Sequence, residues 1–404
     1  MPLLTALHLK DYKVFDHEVT LPLAPLTVVI GPNSAGKSAA VRALAILERS
    51  LAEENRSVWR ADEADGPGRG ASFASFPRDG ERPRRFEVGL GWADGSADRF
   101  TLAQTPPSVF GFLKQVSTSE GVERKHRVDD DWEDEQGAPI APPRFEGLCP
   151  AEGELALAPL RERLRGLRGR VQWLSGSRAA AAFEVQRRQV GPRLAPDGGD
   201  VALRLVDAGA GPVRDGVNQF LREAFGHGAI DVHDLSAEKV QLRVGRLRGT
   251  PLPLALVGDG VGKSLPVVVA AHLLHQAPAE RSGVVLIEDP EAHLHDDAIR
   301  ALALHLAQLA GRWQPGRSLV LETHSRTLVL AVQLAVRRGL ITPDRVALVW
   351  AGGRDEPVLE RIAIDASGAP QGTRLRGAFA EDARLAAEIA GLDAGRAPAP
   401  TGAV

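Results

Sequence analysis

Short apolar runs alternate with amphipathic stretches along most of this 404-residue chain. Leu7, Leu9, Val14, Phe15, Val19 and Leu21 mark two short strands, and Leu26–Ile30 reads as a buried strand leading through a glycine-rich loop into a helix from Ala39 to Leu47. Phe86–Leu90 and Phe100–Leu102 predict an antiparallel pair. Asp62–Pro83 is rich in Arg, Pro and Gly, and residues 105–150 are polar and broken by proline. With its acidic run Asp129-Asp130-Asp131-Trp132-Glu133-Asp134-Glu135, the latter region predicts an insertion or mobile loop. Glu152–Arg170 predicts a helix with arginine on its outer face, Val217–Phe225 a helix and Val240–Val244 a strand. Beyond Pro251 the chain turns apolar. Strands at Val284–Ile287, Leu319–Leu321 and Val346–Trp350 alternate with helices at Leu265–His275, Asp296–Leu309 and Thr327–Arg338. Continuous apolar strands between helices predict an α/β fold with a mainly parallel sheet covered on both faces. The Ala-, Pro- and Gly-rich end, Asp393–Val404, predicts a disordered tail. There is no internal repeat, and no heptad pattern lasts long enough for a coiled-coil arm.

The loop after Ile30 carries the sharpest chemistry. Gly31-Pro32-Asn33-Ser34-Ala35-Gly36-Lys37-Ser38 completes the pattern G-x-x-x-x-G-K-[ST] between a strand and a helix. In that setting backbone N–H groups wrap a phosphate chain, Lys37 reaches the β- and γ-phosphates, and the Ser38 hydroxyl holds Mg²⁺. Glycine allows the backbone to come that close. Phosphoryl chemistry also needs a carboxylate for the metal and a group acting on water. Val284–Ile287 delivers Glu288 and Asp289 to the C-terminal end of a strand, with Glu291 after Pro290. Glu288 is the candidate on the metal side, and either Asp289 or Glu291 the candidate acting on water. Glu322-Thr323-His324-Ser325 follows a second apolar strand, so His324 is a candidate for the γ-phosphate or the attacking water, and Ser325 for a helix N-cap. Gly258-Asp259-Gly260-Val261-Gly262-Lys263-Ser264 imitates a second phosphate loop but has Val257 where glycine is needed. It predicts a glycine-rich turn opening the helix near Leu265, whose N–H groups attract anions, including a phosphate held by another subunit.

Composition narrows the classes further. A net charge of −3 argues against a surface coated in basic charge for nucleic acid, though not against a local patch. The lone Cys149 excludes an internal disulfide and a cysteine metal cage. The N-terminus lacks the pattern of a secretory signal, and no apolar run approaches the ~18 residues of a membrane span, so a cytoplasmic protein without membrane attachment is expected.

In this order the segments resemble the ABC-type AAA ATPases of the SMC and OLD (overcoming lysogenization defect)-like branch, in a bacterial form without a Toprim nuclease domain or long coiled coil. Leu7–Phe15 resembles the opening strand and its "FKSF"-like turn, and GPNSAGKS the Walker A loop. Glu288–His295 is similar to the "EEPEAHLHP" Walker B and D-loop, and Thr323-His324-Ser325 to the switch histidine. Gly258–Leu265 stands in the place of the ABC signature. Weaker similarity runs through Trp173–Arg178, Ile362–Gly368 and Gly377-Ala378-Phe379. The chain departs from the pattern at Asp296, where proline is usual, in lacking a serine-first signature core, and in showing no Q-loop glutamine near Ser75 and Phe76.

The resemblance implies a P-loop NTPase, an ABC ATPase head. Its N-terminal lobe takes residues 1–104, an inserted helical or lid region 105–235, and its C-terminal lobe 236–392, before a tail at 393–404. It implies ATP and Mg²⁺ as cofactors and a head-to-tail homodimer or higher homo-oligomer. Each ATP then lies between one subunit's Gly31, Asn33, Ser34, Ala35, Gly36, Lys37 and Ser38 and the other's Gly258, Gly260, Gly262, Lys263 and Ser264. Ser38 and Glu288 serve the metal, and Asp289, Glu291 and His324 serve catalysis. The expected function is an ATP-hydrolysing regulatory ATPase controlling a separately encoded effector in anti-phage defence, with no nuclease activity of its own. The alternatives are a DNA-binding repair ATPase, for which Arg82, Arg84, Arg85, Arg161, Arg163, Arg165, Arg168 and Arg170 are the candidate phosphate contacts, and a slow nucleotide-gated scaffold.

Overall fold

The computed structural model describes residues 3–51, 57–78, 84–105, 108, 110–127, 131–245, 249–278, 283–352, 358–372 and 375. Arg82, Asp129, Asp130, Gly377-Ala378-Phe379 and the 393–404 tail lie outside these residues.

A six-stranded sheet divides the molecule. Its order is Val171–Leu174, Gly283–Glu288, Arg317–Thr323, Leu26–Ile30, Val346–Gly352, Val358–Ile362, and all neighbours run parallel except the last pair. The alternation of side chains along each strand feeds two cores. Leu26, Val28, Ile30, Val285, Ile287, Leu319 and Leu321 face a layer of helices at Pro212–Phe225, Asp259–Gln276, Asp296–Gly311 and Arg326–Arg337. Val29, Val284, Leu286 and Val320 face the helix Lys37–Arg49 and a second sheet. Burial on both faces explains why these strands read as continuous apolar runs. Parallel register then carries Ile30, Glu288 and Thr323 to one edge, with Glu288 opposite Glu322 and Thr323 opposite Ile30.

The second sheet is antiparallel and eight-stranded, in the order Val19–Pro22, Leu4–Lys10, Arg84–Trp92, Ala97–Gln104, Phe112–Ser117, Glu123–His126, Trp132–Glu133, Pro139–Ile140. Its last strands correct the expectation of a mobile loop over 105–150. The acidic run is drawn into hairpin chemistry: Glu133 pairs with Arg127 at 2.7 Å, Glu135 with Arg124 at 2.9 Å, and the Asp134 carboxylate accepts from the backbone of Gln136 and Ala138. Polar composition hid these strands because they form the far end of a sheet wetted on one side.

Two helices also differ from expectation. The helix placed at Leu265–His275 begins at Asp259 and runs to Gln276. Gly260, Gly262 and Pro266 are poor helix formers, but the helix is apolar all round and held between the core sheet and its neighbours, so tertiary packing overrides propensity. The helix expected over 152–170 spans Ala158–Leu167, and its arginines are not all outward. Arg163 is 8% exposed and binds the fully buried Asp98 through Nε and Nη2, both at 2.8 Å. Asp98 also accepts from the Trp92 indole at 2.8 Å and the Ser119 N–H at 2.9 Å. This ion pair pins the helix onto the antiparallel sheet.

Arg163→Met leaves the Asp98 carboxylate buried without its counter-charge and is expected to cost about 3–5 kcal/mol. Thermal unfolding should show a clearly lowered midpoint, whereas Arg165→Met, at an exposed pair with Glu152, should leave it nearly unchanged.

Candidate nucleotide site

The strand Leu26–Ile30 ends in a loop whose backbone demands small residues. A Cβ on Gly31 would lie 1.9 Å from the Ala351 carbonyl oxygen. Gly36 adopts φ 91° and caps the helix Lys37–Arg49, and a Cβ there would meet Phe15 and Val14 at 2.6 and 2.7 Å. The turn after the first strand thus buttresses the phosphate loop. No side chain caps this helix, so its first N–H groups remain available to an anion. Lys37 is 3% exposed, and its ammonium donates to the carbonyls of Gly31 at 2.9 Å and Pro32 at 2.7 Å. Burial pushes its pKa down, against the pull of Glu322, Asp289 and Glu291.

Two acids on adjacent strands, Glu288 and Glu322, converge here in different roles. Glu288 is 3% exposed and fully engaged: Arg42 of the phosphate-loop helix grips both its oxygens at 2.5 Å, and the Trp173 indole donates to it at 2.9 Å. Glu322, one strand over, accepts a hydrogen bond from the Ser38 hydroxyl. Its other oxygen is buried and has no hydrogen-bond partner among the described residues. Burial, reinforced by the charge of Glu288, pushes the Glu322 carboxyl up to about 7. Glu322 was not among the acids singled out from the sequence. Strand register, which sets it opposite Glu288, is what brings it into the site.

Asp289 and Glu291 separate cleanly. Oε1 of Glu291 accepts from the Thr323 hydroxyl at 2.5 Å and from the backbone N–H of His324 at 2.9 Å and Ser325 at 3.1 Å. It therefore organises the loop that bears His324 and the Ser325 cap, whose own hydroxyl accepts from Leu328 N–H at 3.1 Å. Asp289 stands at φ 44°, a left-handed conformation rare for a non-glycine residue, and its side chain makes no hydrogen bond among the described residues. His324 is exposed at the same edge.

The signature-like segment is not brought to the phosphate loop of its own subunit. Among the described residues no hydrogen bond or ion pair joins Gly258–Ser264 to Gly31–Ser38. Gly258 is exposed and caps the helix from Asp259 without a side-chain bond. Gly262 and Ser264 are buried in this subunit, the Ser264 hydroxyl donating to the Val261 carbonyl at 2.9 Å. Gly260 packs on the His293 carbonyl, and Lys263 Nζ lies 2.9 Å from His293 Nε2.

The donor set fits a divalent cation, because an orphaned buried carboxylate oxygen of Glu322 lies beside the Ser38 hydroxyl. A raised carboxyl is a stability statement as well. The folded form favours the proton, so the contribution is fully present below the ordinary glutamate range and is lost as pH rises through about 7. Glu322→Gln is therefore expected to raise the melting temperature of the free protein at pH 8 relative to wild type, with a smaller gain at pH 5. Mg²⁺ with nucleotide should stabilise wild type more at pH 8 than at pH 6, and Glu322→Gln should abolish that pH dependence.

Residues 194–331 match the family model described as an AAA domain, putative AbiEii toxin, Type IV TA system. That span contains the helix from Asp259, the acids Glu288–Glu291 and the Glu322–Ser325 edge. A 126-residue stretch is 33% identical to the human amyloid-beta A4 precursor protein-binding family A member 3, over 31% of this chain and 20% of that protein. The chain thus spans about a fifth of the length of the curated relative it matches. Among solved structures, an SMC head bound to the C-winged helix domain of ScpA is 11% identical with a TM-score of 0.46, over 90% of this chain and 98% of that one. The SMC head domain from Thermotoga maritima is 15% identical with a TM-score of 0.39, over 90% and 99%. An SMC head with an extended coiled coil, derived from Pyrococcus furiosus and bound to the C-terminal domain of ScpA, is 10% identical with a TM-score of 0.44, over 96% and 100%. Residues 194–331 are thus similar to an AAA domain, and the phosphate loop that precedes them in the chain meets their acids at one edge of the parallel sheet.

Proposed function

We propose that the protein binds and hydrolyses ATP between two copies of itself and uses the cycle to control a separate effector. The observation that carries this reading is the Ser38–Glu322 hydrogen bond with Lys37 and Asp289 beside it, which gathers a phosphate grip, a cation site and a free carboxylate at one sheet edge. Arriving phosphates replace the Gly31 and Pro32 carbonyls as partners of the Lys37 ammonium. Ser38 and Glu322 hold Mg²⁺, with Glu288 beside them; the cation supplies charge neutralisation for the phosphates. Asp289, not Glu291, orients and deprotonates the attacking water, because Glu291 is committed to the His324 loop. His324 faces the γ-phosphate. The partner's Gly258, Gly260 and Lys263 complete the site at an uncapped helix N-terminus. Since each ATP is shared, binding favours the closed pair and hydrolysis releases it.

Effector control in prokaryotic defence is the setting favoured by the toxin–antitoxin description of the matched family. The DNA-binding alternative loses Arg163 to an internal ion pair and keeps Arg84 and Arg85 as exposed candidates. Among the described residues no helix is long and apolar enough to cross a membrane.

Lys37→Ala should abolish ATP binding in a fluorescent-nucleotide titration. Asp289→Asn should keep binding, lower turnover by about 10²-fold or more, and accumulate an ATP-dependent dimer on gel filtration. Glu291→Gln should lower the melting temperature and retain more turnover than Asp289→Asn. Equal turnover in wild type and Asp289→Asn would refute the assignment of the water-activating acid. Plasmid incubated with the pure protein and Mg²⁺ or Mn²⁺ should stay intact.

A further inference from the structure

One buried arginine is unexplained by the nucleotide grip or by the acids. Arg178 ends the Trp173–Arg178 stretch that leaves the edge strand of the core sheet, and it is 6% exposed. Among the described residues it has no ion-pair partner. Every hydrogen bond it makes goes to a backbone carbonyl: Nη1 donates to Ser175 at 3.1 Å and Glu288 at 2.8 Å, Nε to Lys263 at 3.0 Å, and Nη2 to Asp289. A buried guanidinium is tolerated only when its donors are filled. Here the acceptors come from three places: its own turn, the first turns of the helix from Asp259, and the end of the acid-bearing strand.

The last of these is the strained one. Asp289 adopts φ 44°, so its peptide must be held from outside. Its N–H donates to the Glu322 carbonyl at 2.9 Å, and its carbonyl accepts from Arg178. Its side chain is placed by the same turn, because a Cβ on Gly176 would lie 2.7 Å from Asp289 Oδ2. A second bridge runs alongside, from Lys263 Nζ to His293 Nε2 at 2.9 Å.

We infer that Arg178 is a positioning residue that couples the signature-like helix to the Asp289 peptide, so that docking of this helix on a second subunit's nucleotide sets the orientation of the Asp289 carboxylate in its own subunit. The rigid, planar fork of arginine suits this role, since one group spans both backbones. The inference rests on the proposed ATPase function, and it gives Gly176 a matching part: clearance for the carboxylate being positioned.

The test compares Arg178→Met, Arg178→Lys and Gly176→Ala with wild type as full-length proteins, measuring Mg-ATP affinity, kcat and KM, and hydrogen exchange over residues 258–264 and 289–295. Arg178→Met should keep affinity within about threefold and lose about 10²-fold in kcat, the scale set by small misplacements of a reacting group. Arg178→Lys should fall between the two, because one ammonium cannot reach all the carbonyls. Gly176→Ala should lose kcat at unchanged affinity, and it carries the test if Arg178→Met does not fold. A folded Arg178→Met with wild-type kcat overturns the inference, as does a parallel fall of affinity and kcat. If wild type itself shows no turnover, the ATPase reading fails, and hydrogen exchange decides the coupling separately. Arg178→Met should then speed exchange in both segments together, and unchanged protection of 289–295 overturns the coupling.

Discussion

Glu288 and Glu322 lie opposite each other on adjacent parallel strands, both buried, and the rest of the site depends on how that repulsion is managed. Two ionised carboxylates in a low-dielectric edge are costly unless each finds a counter-charge or a proton. The phosphate-loop helix supplies both solutions. Arg42, one turn in, neutralises Glu288, and Ser38, at the helix start, bonds Glu322. The Glu322 carboxyl, buried and facing the charge of Glu288, is pushed up to about 7. The phosphate loop and the acids therefore form one electrostatic unit, although hundreds of residues separate them along the chain.

Around that unit the backbone is held in conformations that local sequence disfavours. Asp289 and His293 both sit at positive φ, in the segment between the acid-bearing strand and the helix from Asp296. Neither is glycine, so the surrounding contacts must supply the constraint. Arg178 and the Glu322 carbonyl hold the first, and the helix from Asp259 packs on the second through Gly260 and Lys263. The start of the helix from Asp259 and the segment that carries the Asp289 carboxylate are thus joined through hydrogen bonds and packing.

The antiparallel sheet supports this arrangement from the other face of the core. Phe15 and Val14, in its first turn, lie against Gly36, and Arg163 with Asp98 locks a helix across its outer strands. Exposed hairpins extend the sheet to Ile140. Their alternating, wet-faced pattern carried too little apolar signal to be read as strands, and the masking effect of proline and acidic residues completed the misreading.

The amino-acid sequence alone determined the parallel strands, most of the helices, the phosphate loop and the family resemblance. Each of these is written in local periodicity or in contiguous motifs that tolerate few alternatives. The identity of the acids was legible only in part. Glu288, Asp289 and Glu291 stand together in sequence, and nothing local says that Arg42 occupies the first, that the second is left free, or that the third caps the His324 loop. Glu322 and Arg178 were decided by tertiary structure, through strand register in one case and carbonyls from three separate segments in the other. Hydrogen-bond partners distant in sequence leave no trace in local pattern, so the division of labour among chemically similar side chains emerges only when the chain is folded.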